Sequence, residues 1–260
     1  MFGDMKKIVG LLMLVAGVFA ATVKADAQTL KLGIEGISFE PDTVVKETVH
    51  YHSAVSVKKK EKSTAIYIGN YKSSSIRLFE YGWNMVEREN PGDFFELNNW
   101  KSQQVTINPF NMSITNAGRN VGLSMALGLR FNNYRFMDPV TMEKVGGVVT
   151  PVPILKDIKK SKFTTAALHI PAEFTIGKPS RFAVSVGGFA DIVCRSHTKI
   201  KYVGGNKDKV WNFPVNFIQY GFSARVSCKY VSLYCNWYPQ GLFKSGKGPK
   251  MEVWSIGIGF

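Results

Sequence analysis

The sequence predicts an all-β protein, an eight-stranded antiparallel up-and-down transmembrane β-barrel with an N-terminal extension. Three observations predict it. Segments of alternating apolarity, separated by turn residues, follow one another from about residue 72 onward. The N-terminus has the features of a secretory signal peptide. The last apolar strand ends on an aromatic residue, Phe260.

Residues 1–27 are predicted to be the signal peptide. Lys6 and Lys7 form a short basic region, and residues 8–23 are apolar or small. Residues 25–27 read Ala-Asp-Ala, a small-x-small cleavage site, so Gln28 is the predicted first mature residue. An N-terminal membrane anchor is the less favoured alternative.

Residues 28–70 are predicted to be an N-terminal extension with a strand or two. Its lysine-rich run, residues 57–62, is typical of a solvated linker. His50 and His52 would point the same way on a strand, as two metal ligands could. No third ligand is evident in the sequence, so we predict neither a metal nor a cofactor.

Residues 71–260 are predicted to form the barrel. The predicted strands cover residues 74–86, 94–109, 119–136, 163–176, 180–203, 212–228, 230–238 and the terminal stretch 249–260. In most of them one parity is apolar and the other is polar or small, because successive strand residues point to opposite faces. The segment 94–109 is the least regular, and a β-bulge there would restore its register.

Alternation alone would also fit a secreted β-sandwich, so the other features of the strands decide the environment. The apolar parity repeatedly runs for about ten residues, the length that a tilted membrane strand needs. Aromatic residues collect at the strand ends, where an aromatic girdle belongs. These are Phe131, Tyr134, Phe136, Trp211, Phe213, Trp237 and Tyr238. The pattern therefore favours a membrane barrel.

An eight-stranded barrel has an interior just wide enough for side chains to fill. The charged residues predicted to occupy it are Arg130, Arg181, Arg195, Arg225, Glu80, Glu96, Glu173 and Asp191. Charges of both signs can pair across such a narrow interior. We therefore predict a filled lumen and no general diffusion pore.

His169, His197, Glu173 and Asp191 are the candidates for the acyl-chain chemistry that some small outer-membrane barrels perform. His169 and Glu173 share one face of a strand, but four residues separate them by ~13 Å. His197 lies beside basic residues, as is typical of a strand end. No nucleophile, base and orienting group can be assembled, so no catalytic residue and no enzyme activity are predicted.

The connections between the predicted strands alternate between tight turns and longer, more polar loops. An even strand count would place the chain ends in the periplasm and the long loops outside. The loop 137–162 carries Lys156, Lys159, Lys160 and Lys162, and the last connection, near residues 239–249, carries Lys244, Lys247 and Lys250. The whole chain has a formal net charge of +14. Together with these basic loops, that charge predicts outer-membrane lipids as partners, bound through lipopolysaccharide phosphates. Nucleic acid is not a predicted partner of an exported chain.

Several motifs resemble one known family. The run Gly128-Leu129-Arg130-Phe131-Asn132-Asn133-Tyr134-Arg135-Phe136 resembles the Gly-Leu-x-x-x-Asn-Tyr-x-Phe strand end of the outer-membrane β-barrel family of Bacteroides-type bacteria, which includes the PorT-like proteins. Residues 168–171, 196–202 and 242–249 are also similar to it. The resemblance implies an eight-stranded outer-membrane barrel. Most members have no defined activity, and a few PorT-like members are associated with protein secretion.

The sequence as a whole favours a non-enzymatic integral outer-membrane barrel with a structural, surface-interaction or export-accessory role. A narrow channel or transport protein is the second hypothesis, and a lipid-modifying outer-membrane enzyme is the third. Trp254, Ile256, Ile258 and Phe260 share one parity and resemble the C-terminal signal that the barrel-assembly machinery recognises. That machinery is therefore a predicted partner.

Overall fold

A computed structural model describes residues 28–33, 36–41, 64–68, 71–88, 96–116, 120–249 and 251–260 of the chain. The predicted signal peptide, His50 and His52 lie outside the described residues. In these described ranges, no helix has the length and apolarity needed to cross a membrane.

The described chain is all-β apart from a single 3₁₀ turn, Asn99–Lys101. Its strands are β1 (Gln28–Gly33), β2 (Gly36–Pro41), β3 (Thr64–Ile68), β4 (Phe79–Arg88), β5 (Gln103–Asn116), β6 (Val121–Arg135), β7 (Val140–Val145), β8 (Val148–Pro153), β9 (Ile158–Lys178), β10 (Phe182–Tyr202), β11 (Lys207–Trp211), β12 (Ile218–Cys228), β13 (Val231–Tyr238) and β14 (Met251–Gly259). Every pairing between them is antiparallel.

Eight strands close into a barrel, in the order β4, β5, β6, β9, β10, β12, β13 and β14. The last strand closes the ring against the first, with Trp254 opposite Met85 and Gly257 opposite Gly82. Neighbours around the ring are also neighbours along the chain, apart from the inserted β7, β8 and β11. The predicted eight-stranded up-and-down barrel is therefore confirmed.

The two ends of the barrel differ, as the sequence predicted. Short turns join β5 to β6, β9 to β10 and β12 to β13 at one end, which we call the tight-turn end. The connections at the opposite, long-loop end are longer and hold the β7–β8 hairpin and β11. Beside β5, strands β3, β2 and β1 of the predicted N-terminal extension continue the sheet.

The boundaries predicted for the first two barrel strands were wrong. The first strand was predicted to begin at residue 74, but it begins at Phe79. Residues 73–77 instead lie buried inside the lumen. The second strand is Gln103–Asn116 and not 94–109. A register shift between Ile107 and Phe110 changes the outward positions from odd to even residue numbers, and the strand continues beyond Pro109 to Asn116. The residues around this shift were therefore mistaken for the start of a turn.

The outer wall of the barrel is apolar around its whole circumference. Its outward side chains, here called the apolar band, include Tyr81, Trp83, Val105, Ile107, Leu123, Leu127, Leu129, Phe131, Leu168, Ile170, Phe174, Val184, Val186, Tyr220, Phe222, Leu233, Trp237, Trp254, Ile256 and Ile258. The inward parity is instead polar and buried, with Gln104, Thr106, Asn111, Ser113, Ser124, Asn132, Thr165, Thr175, Ser185, Gln219, Ser223 and Ser255. The barrel is thus apolar outside and polar inside.

Candidate functional site

The lumen is the candidate site, since it gathers the buried charged side chains. A luminal segment, residues 73–77, fills its tight-turn end. Ile76 has no exposed surface, and the Arg77 side chain is 3% exposed. Arg77 Nη2 donates to the carbonyl oxygens of Lys229, at 2.6 Å, and Pro179, at 3.4 Å. One guanidinium therefore ties the luminal segment to two of the tight turns.

A first charged cluster surrounds Arg225 of β12. Its Nη1 lies 2.7 Å from Glu80 Oε1 on β4, and its Nε lies 3.0 Å from Glu173 Oε2 on β9. Glu173 also accepts hydrogen bonds from the hydroxyls of Ser75, at 3.0 Å, and Ser223, at 3.1 Å. Three strands and the luminal segment therefore meet at two carboxylates and a guanidinium.

A second charged cluster surrounds Arg130 of β6. Its Nη1 lies 3.3 Å from Asp191 Oδ2 and 2.8 Å from the Tyr238 hydroxyl. Its Nη2 lies 2.7 Å from His169 Nε2, and its Nε donates to Thr106 Oγ1 at 3.0 Å. The Tyr238 hydroxyl donates in turn to Asp191 Oδ2 at 2.8 Å. These side chains come from β5, β6, β9, β10 and β13, so the cluster spans the lumen.

Hydrogen bonding fixes the tautomer of His169. A guanidinium only donates, so His169 Nε2 accepts from Arg130 and carries no proton. His169 Nδ1–H then donates to Asp191 Oδ1, which is 2.5 Å away. Both ring nitrogens are engaged inside the cluster. The ring therefore has no free nitrogen with which to take a proton from a nucleophile.

The His169–Asp191 pair was missed by the sequence analysis, which compared His169 with Glu173 on its own strand. Asp191 lies on β10, directly opposite His169 of β9. Directly opposed residues on antiparallel strands have Cβ atoms about 5 Å apart, close enough for a direct hydrogen bond. Counting the register outward from the tight turn at residues 179–181 would have found the pair.

An aromatic and aliphatic cluster closes the lumen at the long-loop end. Phe163 is fully buried, and its ring centroid lies 5.3 Å from that of Phe213 and 5.8 Å from that of Phe243. The buried residues of this cluster are Tyr134, Phe136, Met142, Val149, Phe163, Ala167, Phe189, Val193, Phe213, Val215, Tyr238, Leu242, Phe243, Met251 and Val253. The described lumen is therefore packed with side chains at both ends and in the middle.

Of the rings predicted to form an aromatic girdle, Phe131, Trp211 and Trp237 point away from the lumen, as a girdle requires. The girdle prediction was wrong for the other four, Tyr134, Phe136, Phe213 and Tyr238, which belong to the buried cluster. Tyr134 and Tyr238 have the inward parity of their strands, as Arg130 and Asn236 do. The girdle prediction used only the position of each ring near a strand end, whereas the parity of the residue decides which face of the barrel its ring occupies.

Five of the predicted luminal charges are buried in the lumen: Arg130, Arg225, Glu80, Glu173 and Asp191. Arg181, Arg195 and Glu96 are exposed, so the prediction was wrong for them. Arg181 lies in the turn before β10, and Glu96 lies in the connection before β5. A register shift between Val193 and Arg195 reverses the parity and turns Arg195 outward, where its guanidinium carbon lies 4.9 Å from the Trp211 ring centroid.

The buried charges balance. Among the described residues, the buried guanidiniums are those of Arg77, Arg130 and Arg225, and the buried carboxylates are those of Glu80, Glu173 and Asp191. Arg77 was missed because the luminal segment is not a strand and has no parity to follow. Equal numbers of opposite charges are what a low-dielectric interior tolerates.

His197, the other histidine candidate, points away from the lumen. It lies on the outer face of β10, with its ring centroid 4.4 Å from that of Trp211. The described part of the chain contains no group of three or more His, Cys, Asp or Glu side chains placed to hold a metal ion.

No protein-family model matches the chain, and no curated protein matches it either. The resemblance to the outer-membrane β-barrel family of Bacteroides-type bacteria therefore stays a prediction. The structure itself defines the class of protein as a closed eight-stranded β-barrel with a packed, charge-balanced lumen.

Replacing Arg130 with Gln should destabilise the folded barrel by roughly 3–5 kcal/mol, because Asp191 is left as an uncompensated buried charge. Arg181→Gln makes the same chemical change at an exposed turn and should shift stability by less than about 0.5 kcal/mol. Urea unfolding of both variants in detergent micelles measures the difference. Equal midpoints for the two variants would contradict the assigned role of the cluster.

Proposed function

We propose that this protein is a non-enzymatic integral outer-membrane β-barrel protein with a filled lumen. The observation that carries the proposal is the distribution of polarity. The apolar band faces outward around the whole barrel, and the buried charged residues all face the lumen or belong to the luminal segment. A soluble barrel has the reverse arrangement, and hydrocarbon is the environment in which an outward apolar wall is stable.

The height of the apolar band supports the same proposal. On β6 it runs from Val121 to Phe131, and on β9 from Ala166 to Ile176. At ~3.3 Å per residue and a tilt of about 45°, eleven residues rise about 23 Å, close to the apolar height of known membrane barrels. The predicted signal peptide supplies the route across the inner membrane.

Expression of the whole chain in a Gram-negative host should deliver it to the outer-membrane fraction. Unboiled samples should migrate on a gel differently from boiled ones, because a closed barrel resists detergent until it is heated. Recovery as a soluble periplasmic protein, or a single band under both conditions, would overturn the proposal.

The packed lumen supports a structural, surface-interaction or export-accessory role over a narrow channel. The luminal segment closes the tight-turn end, and the cluster around Phe163 closes the long-loop end. Between them, Arg130 and Arg225 are held by hydrogen bonds and ion pairs to opposite walls. An ion would have to break these contacts in order to pass.

Planar bilayers containing the purified protein should therefore stay at background conductance. A matched recording with detergent buffer alone sets that background. Stable and reproducible conductance steps would contradict the filled lumen and favour the channel hypothesis.

The C-terminal strand supports the barrel-assembly machinery as a partner. Phe260 N–H donates to Phe79 O at 2.8 Å, Phe79 N–H donates to Phe260 O at 3.0 Å, and the two rings stack with centroids 5.7 Å apart. The terminal residue thus completes the closure of the ring. It also presents an exposed ring on the outer wall.

Phe260→Asp should reduce the amount of heat-modifiable barrel in the outer membrane. Phe182→Asp is the control, since both rings are more than half exposed on the outer wall at the tight-turn end. A charge in the apolar band affects both variants, whereas loss of the C-terminal signal affects Phe260→Asp alone. Equal assembly of the two variants would argue against recognition of the terminal residue.

The basic character of the long-loop end supports membrane lipids as a second partner. Lys156, Lys159, Lys244 and Lys247 are exposed there, as the sequence predicted. We propose that lipopolysaccharide phosphates are the anions they meet.

A further inference from the structure

We infer that the outer wall of the barrel, just beyond the apolar band at the long-loop end, binds the phosphate groups of a membrane-anchored glycolipid. The site is built from strand residues and not from loops. The strand cation array consists of Arg135, Lys160, Lys162, Lys199, Lys201, Lys207 and Lys209. This inference rests on the proposed function, because it requires the apolar band to lie in a bilayer.

The array includes two lysines that the sequence analysis assigned to a loop. Lys160 and Lys162 were placed in the connection 137–162, but β9 already begins at Ile158. Both have the outward parity of β9, and Lys162 is held by a hydrogen bond from its Nζ to Asn133 Oδ1. The strand therefore fixes their direction, which a loop would not do.

Register places four of the cations in one row across β6, β9, β10 and β11. Arg135 lies opposite Lys162, Lys162 opposite Lys199, and Lys199 opposite Lys209. Neighbouring strands are about 4.8 Å apart, so this row is about 14 Å wide. A second row, Lys160, Lys201 and Lys207, lies two residues further from the band.

The row beneath the cations connects them to the apolar band. It consists of Asn133, Thr164, His197 and Trp211, in register across the same strands. Phe131 of the band follows directly on β6. The order from the band outward is therefore apolar, apart from Arg195 opposite Ala166 at the edge of the band, then polar with an indole, then cationic. A lipid leaflet has the same order from its acyl chains to its phosphates.

The array carries like charges that the described protein does not neutralise. No described carboxylate lies within ion-pair distance of its members. Partial burial and then the neighbouring Lys160 and Lys199 lower the pKa of Lys162. Desolvation and then Lys209 and Lys207 lower the pKa of Lys199. A bound anion would offset the repulsion between these neighbouring cations.

The occupant that fits is an amphiphile that carries more than one phosphate. The first row is about 14 Å wide by the strand spacing, so phosphates spaced across a sugar headgroup can reach several of its cations at once. The acyl chains of the same molecule would lie along the apolar band below. Free phosphate has no apolar part and gains nothing from the position of the array beside the band.

Two quadruple variants of the whole chain test the assignment. The array variant carries Arg135→Gln, Lys162→Gln, Lys199→Gln and Lys209→Gln. The loop variant carries Lys101→Gln, Lys156→Gln, Lys244→Gln and Lys247→Gln, all at exposed positions outside the strands. Each removes the same charge from the same end of the barrel, so a general electrostatic attraction would weaken equally in both.

Native mass spectrometry of the detergent-purified proteins, with equal amounts of bisphosphorylated lipid A and phosphatidylcholine, measures the lipid retained. The array variant should lose its preference for lipid A by at least about tenfold. The loop variant should lose it by no more than about twofold, because its exposed lysines attract phosphates only weakly through solvent and salt. Added inorganic phosphate should not displace the lipid. Equal loss in both variants, no loss in the array variant, or displacement by inorganic phosphate would overturn the assignment.

The heat-dependent gel shift separates this inference from the proposed function. All three proteins should retain the shift, because the array lies outside the lumen and away from the closing strands. A retained shift without lipid preference would reject the array alone. A missing shift in the wild type would reject the barrel in its membrane role and the array with it.

Discussion

The pairing of charges inside the lumen is the constraint on which the rest of the structure depends. Arg130 of β6 contacts side chains of β5, β9, β10 and β13. Arg225 pairs with Glu80 of β4 and Glu173 of β9, and Glu173 also accepts a hydrogen bond from Ser75 of the luminal segment. A guanidinium so deeply buried is stable only while its partners keep their places, since an unpaired buried charge costs several kcal/mol. Keeping these partners together favours one register for the strands that carry them and one position for the luminal segment.

The polar lumen and the apolar wall are two consequences of one pattern. A strand that alternates strictly must place one parity inside and the other outside. Here the inside accommodates charges because they pair across it, and the outside carries the large apolar side chains. Beyond the band the same outward parity carries lysines, so one wall changes from an apolar surface to a cationic one within a few residues. The role proposed for this protein depends on that wall more than on the lumen.

Register shifts explain two of the differences between sequence and structure. The shift after Val193 turns Arg195 out of the lumen, and the shift after Ile107 extends β5 beyond its predicted end. Strict alternation predicts the wrong face for every residue beyond such a shift. The luminal segment was missed for a different reason. Its Ser-rich sequence resembles a strand start, yet its buried backbone and Arg77 are satisfied by partners that are distant in the chain.

The sequence alone determined the fold class, the approximate strands, the alternation of tight turns and long loops, and five luminal charges. All of these follow from alternation and turn residues, which are local properties of the chain. Only the tertiary structure decided which charges pair, how His169 is held by Asp191 and Arg130, and which aromatic rings close the lumen. It also decided that lysines of separate strands form one row. These features depend on the register between strands that are distant in sequence, and local periodicity does not encode that register.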